Sequence, residues 1–304
     1  MHTSSAQMVR NALHAGLTVP AFNIPYLPML EPVVRAVRDA DAAAFIATAR
    51  VEWLHFESGG PGPVAERFAA CADLCHVRLH LDHVPVIDED GRRVCWQPIF
   101  EQALALGYGS VMIDASRLEL EGNIAVTAQA VRMAHAAGAA CEAELGSVLG
   151  HEAGPLPPYE ELFSSGLGFT DVEQARRFVA ETGCDWLSVA VGSVHGAIVG
   201  ASGSQQKVSA RLHLERLSEL AEATGIPLVL HGGSGIPCAT VQAAVRCGIA
   251  KLNVATEIRR AWLAALEGGG DQEAAQAAVY HCTRALLEEH LSLGATRAAV
   301  MGEA

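Results

Sequence analysis

Eight short apolar runs alternate with segments of helical spacing along this chain, and most of them stop at a polar residue. The sharpest case is Leu79-His80-Leu81-Asp82-His83, where a strand-like run closes on a carboxylate and an imidazole. Val111-Met112-Ile113 closes on Asp114, Ala143 is followed by Glu144, Val189-Ala190-Val191 precedes His195, Val229-Leu230 precedes His231, and Leu252 precedes Asn253. A strand buried on both faces has no use for such residues at its end. A parallel barrel does, because its site lies at the C-terminal ends of its strands. Eight regular strand–helix units exceed what a doubly wound sheet needs, so the expected fold is α/β, a (β/α)8 barrel of the TIM type.

The expected strands are Val19 to Asn23, Ala43 to Ala47, Val77 to Asp82, Gly109 to Asp114, Ala139 to Glu144, Trp186 to Val191, Ile226 to Leu230 and Ile249 to Val254. Helices are expected over 4–15, 30–40, 63–75, 98–106, 121–137, 171–182, 213–224 and 239–247, with two more near 256–267 and 271–292. Thr170, with Glu173 three residues on, reads as the N-cap of a capping box. Residues 51–62 and 146–169 are rich in Gly and Pro and read as loops, the second long enough to be functional. Residues 84–95 read as a loop or small hairpin over the site. The 304 residues, half of them hydrophobic, are taken as one domain, 1–304, with extra helices at both ends, the C-terminal ones from about 256.

Composition narrows the partners. A net charge of −13 argues against nucleic acid or an anionic membrane, though a local anion site remains compatible with it. No apolar run approaches the roughly 18 residues of a membrane span, and Met1 to Ser5 lacks the start of a secretory signal. The eight cysteines are scattered without a CxxC pair, so a reduced, cytoplasmic setting is expected. Cys71, Cys75 and His76 share a helical segment, where core packing explains them.

Three imidazoles just past strands three, six and seven, His83, His195 and His231, would meet at one barrel mouth. Three histidines with an open position suit a catalytic zinc ion. His231-Gly232-Gly233-Ser234-Gly235 follows strand seven, and Asn253-Val254-Ala255-Thr256 follows strand eight. Glycine-rich turns and helix starts there form a natural phosphate cradle.

With these residues in place, the chain resembles the class II, zinc-dependent ketose-bisphosphate aldolases. The carriers are Pro20-Ala21-Phe22-Asn23, the Asp82-His83 run, Ser110 to Ser116, Glu142 to Gly146, Val194-His195-Gly196, Leu230 to Gly235 and Lys251 to Glu257, in family order. The resemblance implies that His83, His195 and His231 hold Zn2+, with Asp114 and Glu144 at a second or alternative metal position. It also admits a monovalent cation. Asp82 matches the acid/base for the substrate C4 hydroxyl, and Glu152 the glutamate that shuttles the C3 proton. Asn23, Gly196, Gly232, Gly233, Ser234, Asn253, Val254, Ala255 and Thr256 match substrate- and phosphate-binding positions for dihydroxyacetone phosphate. The substrate implied is a phosphorylated ketose of the fructose or tagatose 1,6-bisphosphate type. A homodimer or homotetramer is expected, in carbohydrate metabolism such as glycolysis.

The chemistry runs the same way. Retro-aldol cleavage leaves a carbanion beside a carbonyl, and zinc on that carbonyl spreads the charge into an enediolate. Asp82 can supply the base.

The chain departs from the family at Val84-Pro85 with extra residues around Asp88 to Arg93, at Leu149 to Ala153, and at Ala197-Ile198-Val199. Arg50, Arg92, Arg93 and Arg297 are candidates for a distal phosphate. Competing readings are a lysine Schiff base on Lys207 or Lys251, a non-catalytic sugar-phosphate-binding homologue, and another zinc enzyme of the barrel class, such as an aldolase or epimerase on a different phosphorylated substrate, or a hydrolase.

Overall fold

The computed structural model describes residues 3–146, 159–193, 211–233 and 235–303. Eight parallel strands close into a barrel in sequence order. They are β1 (Val19–Asn23), β2 (Ala44–Ala49), β3 (Val77–Pro85), β4 (Ser110–Asp114), β5 (Ala140–Leu145), β6 (Trp186–Val189), β7 (Leu228–Leu230) and β8 (Ile249–Val254). The ring closes where Val19 to Phe22 pair with Lys251 to Val254. The expected barrel is the observed one.

Two apolar layers hold it. Outward-facing Leu79, Leu81, Val111, Ile113, Leu187 and Leu230 pack against the surrounding helices. A smaller inner cluster, with Phe45, Ala47, Ala140, Trp186 and Val229, fills the lumen near the strand starts. Met8, Val9 and Ala12 of helix Ser5–His14 belong to that inner cluster, as do Val300 and Met301, so the terminal helices plug the lower opening. Helix Ser5–His14 starts on Ser4, whose hydroxyl accepts the Gln7 N–H.

Several boundaries differ from expectation. Residues 51–62 are not all loop: helix Arg50–His55 follows β2 directly, and Pro61 opens helix Pro61–Cys71. The long 146–169 segment contains helix Tyr159–Ser165. Asp171, not Thr170, caps helix Val172–Thr182, accepting the Gln174 N–H. Thr170 is spent elsewhere, donating to the Leu145 carbonyl and accepting the Ala190 N–H, so it ties β5 to β6. The expected 271–292 helix is Gln272–Ala285 followed by a π-turn, Leu286–His290. β6 ends at Val189, two residues early, and β3 runs three residues late, through a register shift between Leu81 and Val84. Residues 86–94 form the small hairpin, with Ile87 bridging Arg93 and Val94 N–H donating to the Val86 carbonyl.

Candidate active site

The β3 register shift decides the site's geometry. Successive strand residues point to opposite faces, so a regular β3 would send Asp82 into the lumen and His83 out toward the helices. His83 instead has φ +33°, in the region that side chains rarely adopt. The bulge turns the chain so that both side chains reach the mouth.

There the two imidazoles meet. His83 Nε2 faces His231 Nδ1 at 2.6 Å, with the rings edge to face and centroids 4.5 Å apart. The other nitrogen of His231, Nε2, lies 2.8 Å from Glu142 Oε1. Against burial, Lys251 and His231 keep Glu142 ionised, so its carboxylate can only accept there, which assigns the His231 proton to Nε2 and the lone pair to Nδ1, facing His83. His83 Nδ1 lies 3.5 Å from Asp114 Oδ2 and 3.8 Å from Glu144 Oε2. Burial alone would push the His83 imidazole down, but the Asp82, Asp114 and Glu144 carboxylates outweigh it and raise its pKa to about 10.

Asp82 sits among donors. Asn23 Nδ2 donates to its Oδ2 at 2.9 Å, and Asn253 Nδ2 approaches Oδ1 at 3.0 Å and Oδ2 at 3.1 Å. Burial opposes its charge, yet His83, His80, Lys251 and His231 together hold its carboxyl well below the usual range. Asp114 is likewise held down to about 2, against burial, by His83 and by the Ser116 hydroxyl and N–H. Glu144 is the opposite case: burial and then the Asp114 charge push it up.

The donors fit a metal. Asp82, His83 and His231 offer ligand atoms within 4.8 Å of one another, as do His83, Asp114 and Glu144. Among the described residues, Glu144 Oε2 is buried without a hydrogen-bond partner. Nitrogen and carboxylate oxygen together suit zinc, and a cation held by these side chains would take the place of the proton that His83 carries. Of the expected ligands, His83, His231, Asp114 and Glu144 are thus gathered at one mouth. His195, Gly196, Glu152 and Ser234 lie outside the described residues.

The expected phosphate segments adjoin each other. Gly232 has φ +67°, and a Cβ on Gly233 would stand 2.9 Å from Leu252 Cδ1, so the turn after β7 lies directly on β8. Val254 ends β8, and Ala255 leads into helix Thr256–Glu267.

Sequence reasoning gave no role to His80, Glu142, Trp186 or Glu52. His80 is fully buried, with Nδ1 on the Ser110 hydroxyl at 2.9 Å and Nε2 3.6 Å from Asp82 and 3.5 Å from Glu142. The available signal was parity: His80 with Asp82, Glu142 with Glu144 and Lys251 with Asn253 are alternate residues of apolar strands, so each pair faces the lumen. Among the distal-phosphate candidates, Arg297 pairs with Asp41 and Glu303. Asp41 precedes β2, so Arg297 belongs to the opposite end of the barrel. Arg92 and Arg93 are exposed on the hairpin, and Arg50 pairs with Asp88 at 3.1 Å.

Comparison with known proteins decides the family. The family model for "Fructose-bisphosphate aldolase class-II" matches residues 3–296. The chain belongs to the class II fructose-bisphosphate aldolase family. It is accordingly an aldolase, a carbon–carbon lyase, and a phosphorylated sugar is the substrate class its family implies. The family is generally metal-dependent, in keeping with the donor groups just described. A Bacillus subtilis protein described as "Probable fructose-bisphosphate aldolase" is 31% identical over 258 residues, 84% of this chain and 81% of the relative. The crystal structure of the YdjI aldolase from Escherichia coli K12 superposes with a TM-score of 0.75 at 26% identity, covering 97% of this chain and 99% of that one. Fructose-bisphosphate aldolase from Campylobacter jejuni shares the fold at 17% identity and a TM-score of 0.71, with 97% of each chain covered. No helix among the described residues is long and apolar enough to cross a membrane.

Proposed function

We propose that this chain is a zinc-dependent aldolase that cleaves and forms a phosphorylated ketose of the fructose or tagatose 1,6-bisphosphate type, yielding dihydroxyacetone phosphate and an aldehyde. The observation that carries this reading is the meeting of His83 and His231 beside an ionised Asp82 held by two amide donors. His83 and His231, with His195 from the sequence, would hold the zinc ion, and Asp114 and Glu144 a second metal position. When bound, the metal supplies Lewis acidity that stabilises negative charge developing next to the substrate carbonyl.

The chain's own residues do the rest. Asp82 takes the proton of the C4 hydroxyl while the C3–C4 bond breaks; C4 becomes the aldehyde carbon and the electron pair moves toward C2. Asn23 and Asn253 keep the Asp82 carboxylate in one orientation, which preserves alignment with the reacting hydroxyl. Gly196, Gly232, Gly233, Ser234 and the segment Asn253 to Thr256 bind the phosphate of the dihydroxyacetone half. Glu152 returns a proton to C3. Lys251 is fully buried and ion-paired, so its amine is not presented to a substrate carbonyl, which weighs against the Schiff-base alternative. The protein works as a single domain over 1–304, as a cytoplasmic homodimer or homotetramer.

Asp82→Ala tests the assignment. Turnover of fructose 1,6-bisphosphate should fall by roughly 10²- to 10⁴-fold, while zinc content and binding of dihydroxyacetone phosphate are retained. Unchanged turnover would remove Asp82 from the reaction.

A further inference from the structure

Below the mouth lies an ion pair that the proposed reaction does not use. Lys251 and Glu142 are both fully buried, and Lys251 Nζ stands 2.9 Å from Glu142 Oε2. The interior of such a barrel is ordinarily packed with branched apolar side chains. A buried ion pair contributes little net stability against an apolar replacement, because desolvation offsets the attraction. Its partners give it a different use.

Glu142 makes contacts on both oxygens. Oε1 takes the Nε2 side of His231 at 2.8 Å, and Oε2 takes the Trp186 indole N–H at 2.6 Å as well as Lys251. A carboxylate in that place allows only one neutral His231 tautomer, the one with its proton on Nε2 and its Nδ1 lone pair toward His83. Lys251 has a second donor arm, to Asn253 Oδ1 at 2.6 Å. With its oxygen occupied by the ammonium, Asn253 can turn only its NH2 to Asp82, as it does at 3.0 Å. Without that contact the amide could flip and set an oxygen against the Asp82 carboxylate. One cation therefore governs the orientation of two groups, the His231 ring just past β7 and the Asn253 amide on β8.

We propose that Lys251 is a positioning residue of the aldolase site: through Glu142 it fixes the His231 nitrogen offered to a metal, and through Asn253 it fixes the amide that holds Asp82. This rests on the metal-aldolase reading for its purpose, but the two hydrogen-bonded arms are made by the chain's own side chains. The sequence parity that puts Lys251 and Asn253 on one face of β8, and Glu142 and Glu144 on one face of β5, is what allows a single ammonium to reach both arms.

The test uses the metal-stripped full chain with 15N-labelled histidine, in wild type, Glu142→Gln, Lys251→Met and His231→Ala. NMR of the ring nitrogens, with His231→Ala to assign the signal, is expected to show His231 protonated on Nε2 in wild type and mixed tautomers in Glu142→Gln. Zinc affinity, by competition with a chromophoric chelator, is expected to fall 10- to 100-fold in Glu142→Gln. Lys251→Met is expected to show both losses and, in addition, a drop in kcat larger than that of Glu142→Gln at similar KM, because only it releases Asn253. Should Lys251→Met fail to fold, Glu142→Gln, which keeps size and shape, decides the His231 arm, and Asn253→Asp decides the other: a carboxylate beside Asp82 should lower kcat with zinc affinity unchanged. A wild-type His231 protonated on Nδ1, or a folded Glu142→Gln with wild-type tautomer and zinc affinity, would overturn the proposal. Wild-type protein that binds zinc no better than His231→Ala would instead defeat the metal-centre reading, and the tautomer measurement would still judge the hydrogen-bonded brace.

Discussion

Glu52 gives the clearest quantitative expectation. It lies on helix Arg50–His55, is 4% exposed, and accepts the Ala49 N–H beside Asn23 and Asp82. Burial pushes its carboxyl up to about 8 and the Asp82 charge adds to this, with the Ala49 N–H and the Asn23 amide opposing. In the unfolded chain the same group returns to its ordinary value near 4.5. Between those two values the native state holds a proton that the unfolded state has lost, so stability must fall as pH rises. The contribution is fully present below 4.5 and is gone above about 8. At about 1.4 kcal/mol per tenfold change in proton affinity, the whole gap corresponds to roughly 5 kcal/mol. Glu52→Gln cannot ionise and keeps a carbonyl for the Ala49 N–H. Urea unfolding of the metal-stripped proteins, followed by circular dichroism at several pH values from 5 to 9, isolates this group, because every other titration is shared by the pair. The wild type should lose several kcal/mol relative to the variant across that range, most of it between pH 6 and 8. Parallel pH dependences for the two proteins would refute the assignment of a buried, neutral Glu52.

Two further expectations concern stability. Trp186→Phe removes the indole N–H from Glu142 Oε2 and should cost about 1.5–3 kcal/mol, the usual worth of a hydrogen bond to a charged group, read by urea unfolding. Gly146, where β5 leaves the barrel, has φ +92°, and a Cβ there would stand 2.6 Å from Thr170 Oγ1 and 3.0 Å from the Gly168 carbonyl. Gly146→Ala should therefore destabilise by roughly 1–3 kcal/mol, whereas Gly138→Ala, with nothing among the described residues within 4 Å of its Cβ, should cost less.

The barrel was legible because its signals are repetitive: eight apolar runs of strand length, each followed by a helical stretch. The position of the site was legible for the same reason, since Asp82, Asp114, Glu144 and His231 all stand where a run stops. What could not be read locally is what depends on contacts across the barrel. Alternation alone would have put His83 outside; only the bulge against β4 brings it in. Thr170 carries the sequence signature of a cap, but tertiary bonds to Leu145 and Ala190 claim it and the next residue caps the helix. Glu142 and Lys251 were visible as same-face residues on separate strands, and nothing in the order of the chain says that their side chains meet.

The most direct test of the aldolase reading is the release of dihydroxyacetone phosphate from fructose 1,6-bisphosphate, followed in a coupled assay, by protein loaded with zinc, stripped with chelator, and reloaded. The expected result is release that disappears on stripping and returns with zinc. Release that persists undiminished in the stripped protein would contradict the metal's role at His83 and His231, and absence of release from both fructose and tagatose 1,6-bisphosphate by zinc-loaded protein would contradict the proposed substrate.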